Sequence, residues 1–131
     1  MSFQADYNSM LRTADNNMST NETENTGNAL TIDLGPGTGY RGLWVWATNP
    51  TTVTGSTPGY TITLRGSNDK SSWSSIANPA PFVIVAAGEY GPYRIDTTFR
   101  YISYASSRGN ADNTATAIQI GMTDQTRMGP R

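Results

Sequence analysis

The sequence predicts an all-β fold: a single jelly-roll β-sandwich of about eight antiparallel strands, with extended N- and C-terminal tails. Three observations predict it. From Ala29 to Thr123 the chain is a succession of short strand-length runs, broken by Gly, Pro, Asn, Asp and Ser at the rhythm of a sandwich or barrel. No helical apolar pattern of useful length follows residue 28, which argues against α/β folds. Charged residues make up only 15% of the chain, and small polar residues abound, a balance that suits strand faces and turns better than solvated helices. At 131 residues the chain is one domain, long enough to bury a core without disulfide or metal staples.

The strands follow in order. Ala29 to Leu34 alternates, with Leu30, Ile32 and Leu34 on one face, and the GPGTG run at 35–39 ends it. Leu43 to Thr48 (LWVWAT) is apolar or aromatic on both faces, with Trp44 and Trp46 together and Leu43 and Val45 opposite. A Pro/Gly loop at 49–59 leads to Tyr60–Leu64, where Tyr60, Ile62 and Leu64 alternate with Thr61 and Thr63. A polar turn at 66–72 precedes Trp73–Ile76. Pro81–Ala87 is the most apolar run and reads as a central strand. Tyr90–Ile95 and Phe99–Ala105 follow, then a Gly/Asn loop at 106–113. Thr114–Met122 closes the domain, with Ile118, Ile120 and Met122 on one face. The predicted organisation is an N-terminal arm at 1–28, a sandwich at 29–123 and a C-terminal tail at 124–131.

The arm differs in composition. Its second half, NNMSTNETENTGN at 16–28, is polar and buries too little to order itself. Before it, Phe3, Tyr7, Met10 and Leu11 fall at a spacing that lines one face of a short helix, so the arm is expected to be either a disordered tail or a segment that orders on a neighbouring subunit.

Composition excludes several functions. With no histidine and no cysteine there is no Ser-His-Asp triad, no disulfide and no thiolate or imidazole metal site. Net charge of −1 lacks the basic footprint of a nucleic-acid binder and gives no attraction to anionic membranes. No apolar run has the length of a membrane span, and no signal peptide is expected. Absence of cysteine suits synthesis in a reducing cytoplasm. Paired carboxylates are the remaining route to catalysis, and Asp33 and Asp96, at strand ends, are the pair to consider; most other acids lie in turns or tails. The chain reads as non-enzymatic, without cofactor or metal. GSNDKSSW at 66–73 is the one loop with calcium-like donors, but it lacks EF-hand spacing and contains Lys70; it reads as a hairpin turn with Trp73 turned into the core.

Ten aromatics on or beside the predicted strands need weighing: Trp44, Trp46, Trp73, Tyr60, Tyr90, Tyr93, Tyr101, Tyr104, Phe82 and Phe99. At least half are expected in the core. The remainder, with Arg94, Arg100 and Arg108 on or near the same strands, have the composition of a protein interface or a sugar platform.

The order of segments carries a resemblance. TIDLG (Thr31 to Gly35), LWVWAT, YTITLRGSNDKSSW (Tyr60 to Trp73) and FRYISY (Phe99 to Tyr104) are co-linear, and over about residues 8–122 the chain resembles the jelly-roll cement, or decoration, proteins of tailed bacteriophage capsids. The G-S-x-D-x-S-x-W turn is also similar to one in discoidin-like and other carbohydrate-binding sandwiches. The resemblance implies a non-enzymatic virion protein, made in the host cytoplasm. It would sit on the outer surface of the head, bridging major capsid proteins and self-associating as a dimer or trimer at a symmetry axis. It would bind during or after shell expansion and resist the pressure of packaged DNA. Phe3, Tyr7, Met10, Leu11, Arg127 and Met128 are the candidate capsid contacts, as apolar or basic residues in otherwise polar tails. A carbohydrate-binding or adhesion module, and a low-copy tail or head-completion protein, are the alternatives.

Overall fold

The structure is a computed structural model, and it describes residues 10–24, 26–35, 43–95 and 97–124. Among them there is no helix. The strands are β1 (Met10–Arg12), β2 (Ile32–Asp33), β3 (Leu43–Asn49), β4 (Tyr60–Ser67), β5 (Ser74–Ser75), β6 (Phe82–Ile84), β7 (Gly88–Arg94), β8 (Tyr101–Arg108) and β9 (Gln119–Asp124). They form two antiparallel sheets. The first has the order β1-β9-β3-β7; the second has the order β2-β8-β4-β5, with β6 also on β4. The pairing is nested: β1 with β9, β2 with β8, β3 with β7, and β4 with β5 and β6. Consecutive strands therefore change sheet at every connection outside β4–β6, and the loops gather at the two ends of the sandwich.

Alternation decides which side chains meet between the sheets. From β4, Tyr60, Ile62 and Leu64 point inward; from β8, Ile102 and Tyr104; from β3, Val45 and Ala47; and from β9, Ile120 and Met122. Ile84, Ile95 and Ile118 complete a single core to which both sheets contribute. At Gly66 a Cβ would meet the Phe99 ring at 2.2 Å, so glycine there lets Phe99 cross the end of β4.

The structure departs from the sequence reading at several elements. Met10–Arg12 is a strand rather than the end of a helix: it pairs with β9, Met10 opposite Gly121, and all three residues are buried. The polar run that follows is packed as well. Met18 is fully buried and bridges Thr116, and the segment continues across the edge of the sandwich to β8. β6 is an edge strand of three residues rather than a central one, and Val83 on its outer side is 50% exposed. Backbone pairing with β4 carries β8 through Arg108, into what reads as a loop. Trp73 stays outside the core cluster; Ile76 supplies the buried side chain after the turn.

Candidate docking surface

The polar strap at 13–31 is held by one buried network. Arg12 is fully buried and donates from Nε to Glu22 Oε1 at 2.9 Å, from Nη2 to Glu22 Oε2 at 3.4 Å, and from Nη1 to the carbonyls of Ile118 (2.7 Å) and Asn16 (2.9 Å). The Tyr104 hydroxyl, on the opposite sheet, donates to Glu22 Oε1. Asn28 donates to Glu22 Oε2 from its backbone N–H and its side-chain amide. Burial pushes the Glu22 carboxyl up, but the hydrogen bonds from Arg12 and Tyr104 and the Arg12 charge outweigh it and hold the group below its ordinary value. Burial first, then the bond to Glu22, pushes the Tyr104 hydroxyl up. The strap is tied further by reciprocal bonds between the Glu22 and Ser106 residues, by Arg108 donating to Ser19 and Asn21, and by Arg65 pairing with Glu24 at 3.1 Å. A buried ion pair with its polar atoms hydrogen-bonded in this way ties the strap to both sheets in one arrangement.

One end of the sandwich gathers aromatic and basic side chains. The register of β1 on β9 sets Met10 beside Gly121, and β9 continues toward that same end through Asp124. The chain therefore enters β1 and leaves β9 at one end. β3 begins there, β7 ends there and β8 begins there, with Leu43 opposite Asp124 and Trp44 opposite both Thr123 and Arg94. On the outer face of the first sheet the Arg94 guanidinium lies 6.0 Å from the Trp44 ring centroid. The Trp44 Nε1–H is buried without an acceptor among the described residues. Trp46, next on that face, is buried outside the core cluster, over Gly121, where a Cβ would meet its ring at 2.3 Å.

At the same end of the second sheet, Tyr101 carries Arg100 at 4.9 Å and Lys70 at 5.1 Å from its ring centroid. Arg100 pairs with Asp33 through Nε at 2.8 Å and Nη2 at 3.0 Å, and Asp33 also accepts the Gly35 N–H. Arg100 above all, then Gly35, holds the Asp33 carboxyl at about 2. The adjoining turn is the hairpin that the sequence predicts. Asp69 Oδ1 accepts the N–H groups of Ser71 and Ser72 and the hydroxyl of Ser67, which hold the Asp69 carboxyl below its ordinary value. No three His, Cys, Asp or Glu residues gather to hold a metal ion among the described residues. Asp33 is thus committed to Arg100, and Asp96 lies outside the described residues.

Of the six candidate contacts, Phe3, Tyr7, Arg127 and Met128 lie outside the described residues. Met10 and Leu11 are 3% and 0% exposed and belong to the sandwich, Leu11 to its core, so neither offers surface to a partner. Of the aromatics, Tyr60, Tyr104 and Phe82 are in the core, and Tyr90, Tyr93 and Phe99 pack against it. Trp44, Trp73 and Tyr101 keep partial exposure. A groove of about 550 Å³ at the opposite end is lined by Ala14, Thr48, Pro50, Glu89, Ala117 and Gln119, and none of those three aromatics reaches it. The Arg12–Glu22 pair escaped the sequence reading because the two residues stand ten apart in a polar stretch, with no pattern linking them. No family model, no curated protein and no solved structure matches the chain.

Proposed function

We propose that the chain is a non-enzymatic cement, or decoration, protein that binds the outer surface of a phage head and bridges major capsid proteins to stabilise the shell. The observation that carries this reading is the gathering of two aromatic–arginine clusters, Trp44 with Arg94 and Tyr101 with Arg100, at one end of the sandwich. Tyr, Trp and Arg are the side chains that concentrate binding energy at protein interfaces. Contacts repeated by symmetry give avidity without a deep pocket. The nested strand pairing supports the jelly-roll form of the sandwich, in line with the resemblance of residues 8–122.

Binding to purified expanded shells tests the reading. The full chain is expected to saturate the lattice. Deleting residues 1–9 or 125–131, which spares every described strand, is expected to weaken binding at least tenfold. Arg94→Ala is expected to weaken it with no loss of fold. Unchanged shell binding by all three variants overturns the proposal, as does specific capture on a glycan array without shell binding.

A further inference from the structure

The groove at the end away from Trp44 lies on the outer face of the first sheet, where Thr48, Gln119 and Glu89 stand in line on β3, β9 and β7. Ala14, Pro50 and Ala117 make its wall apolar, and no aromatic lines it. Glu89 is exposed and is the one charged residue of the lining. Asp15, also exposed, follows Ala14 in the chain. Neither carboxylate is in an ion pair among the described residues, whose pairs are Arg12–Glu22, Arg65–Glu24 and Arg100–Asp33. Arg12, which bonds the carbonyls of Asn16 and Ile118, is already answered by Glu22. The groove thus sets an unanswered negative charge beside an apolar wall, a pattern that suits a basic segment with apolar residues and repels an acidic one.

The chain itself holds such a segment. Residues 125–131, QTRMGPR, carry Arg127 and Arg131 with Met128 and Pro130 between them, and no Asp or Glu. They follow β9, whose last residue, Asp124, stands opposite Leu43 at the far end of the same sheet. By strand rise and spacing, Glu89 is about 17 Å along the sheet from Asp124 and about 10 Å to the side, hence about 20 Å away. The chain can carry the Arg127 Cα only about 10 Å from Asp124. A copy's own segment would therefore have to reverse on leaving β9 and lie fully extended over the Trp44 end of the sheet. The segment of a neighbouring copy needs no reversal.

We propose that the groove takes residues 125–131 of a second copy of this chain, with Met128 and Pro130 against the wall of Ala14, Pro50 and Ala117 and an arginine on Glu89. The contact is heterologous: each copy gives a segment at one end and receives one at the other, so copies close into a ring or run on as a chain. The inference goes beyond the cement reading and does not depend on a shell; on a shell it would add avidity to each copy's own contacts.

The probe is the peptide QTRMGPR titrated into the full chain, followed by backbone amide shifts and by sedimentation velocity. The full chain is expected to self-associate as its concentration rises. The peptide is expected to dissociate it, with saturable shifts at Ala14, Thr48, Glu89, Ala117 and Gln119. Glu89→Arg is expected to weaken self-association and peptide binding about fivefold, or about 1 kcal/mol, as an exposed attraction gives way to a repulsion. The double change Arg127→Glu, Arg131→Glu is expected to weaken self-association as much. Mixing these two variants is expected to restore it, because the reversed segment then meets the reversed groove, and a misfolded variant could not do this. A monomer at every concentration, peptide shifts away from the groove, equal binding by the peptide QTEMGPE, or no restoration on mixing would each overturn the inference. Shell binding by a protein that stays monomeric removes this contact alone; self-association without shell binding removes only the capsid reading.

Discussion

Replacing Glu22 with glutamine keeps the shape of the buried network and removes its negative charge. Arg12, at 0% exposure, then carries a charge with no carboxylate to answer it. Removing one partner of a buried ion pair costs about 3–5 kcal/mol. Arg12 keeps the carbonyls of Ile118 and Asn16, and the glutamine oxygen still accepts from Tyr104, which favours the low end, about 3 kcal/mol. A domain of this size has a total stability of about 5–15 kcal/mol, and each kcal/mol moves the midpoint by about 3–5 °C. The variant is therefore expected to melt about 10–15 °C lower at pH 7, read by calorimetry and by tryptophan fluorescence in urea. The pH dependence follows from the direction of the Glu22 shift. A carboxyl held below its ordinary value stabilises the fold fully above about pH 4.3, the unfolded pKa, and that contribution disappears as pH falls through the folded value. Parent and variant are thus expected to differ most at neutral pH and to converge in acid. A loss below about 1 kcal/mol at pH 7, with parallel pH profiles, would refute the view that this pair ties the strap to the sandwich.

Further outcomes follow from the same packing. Met18→Ala, removing a fully buried side chain from the strap, is expected to cost about 2–4 kcal/mol in urea unfolding; a cost near zero would mean that the strap detaches freely. Gly121→Ala puts a Cβ at 2.3 Å from the Trp46 ring and is expected to cost about 1–3 kcal/mol, with a shifted tryptophan emission spectrum. Val83→Thr, at a half-exposed edge position, is expected to change stability by less than about 0.5 kcal/mol and to lower the tendency to aggregate on heating.

The sandwich was legible wherever alternation and burial coincide. Tyr60, Ile62 and Leu64 in β4, and Ile118, Ile120 and Met122 approaching and within β9, are inward in sequence and structure alike. The strap was not legible. A composition rule reads the run at 16–28 as too polar to order, yet it orders through two buried side chains, Met18 and Glu22, and backbone bonds to β8; the information lies in partners distant in sequence, at Arg12 and Tyr104. Met10 and Leu11 fit a helical spacing by coincidence, since a three-residue strand is too short to reveal a period of two. Trp73 misled for a chemical reason. Its indole N–H finds an acceptor in its own turn, at the Lys70 carbonyl, and so has no need of the core. The proposed docking end was visible only as a list of residues: Arg94, Arg100, Trp44 and Tyr101 stood out, but nested pairing is what brings them to one end.

The most direct test of the cement reading is the copy number and position of this chain in purified particles assembled with it, by cryo-electron microscopy. The account predicts hundreds of copies on the outer shell, bridging capsomers, with the end that carries Trp44, Arg94 and Tyr101 toward the capsid. Absence from the shell, or a handful of copies at a vertex or tail tip, would contradict it.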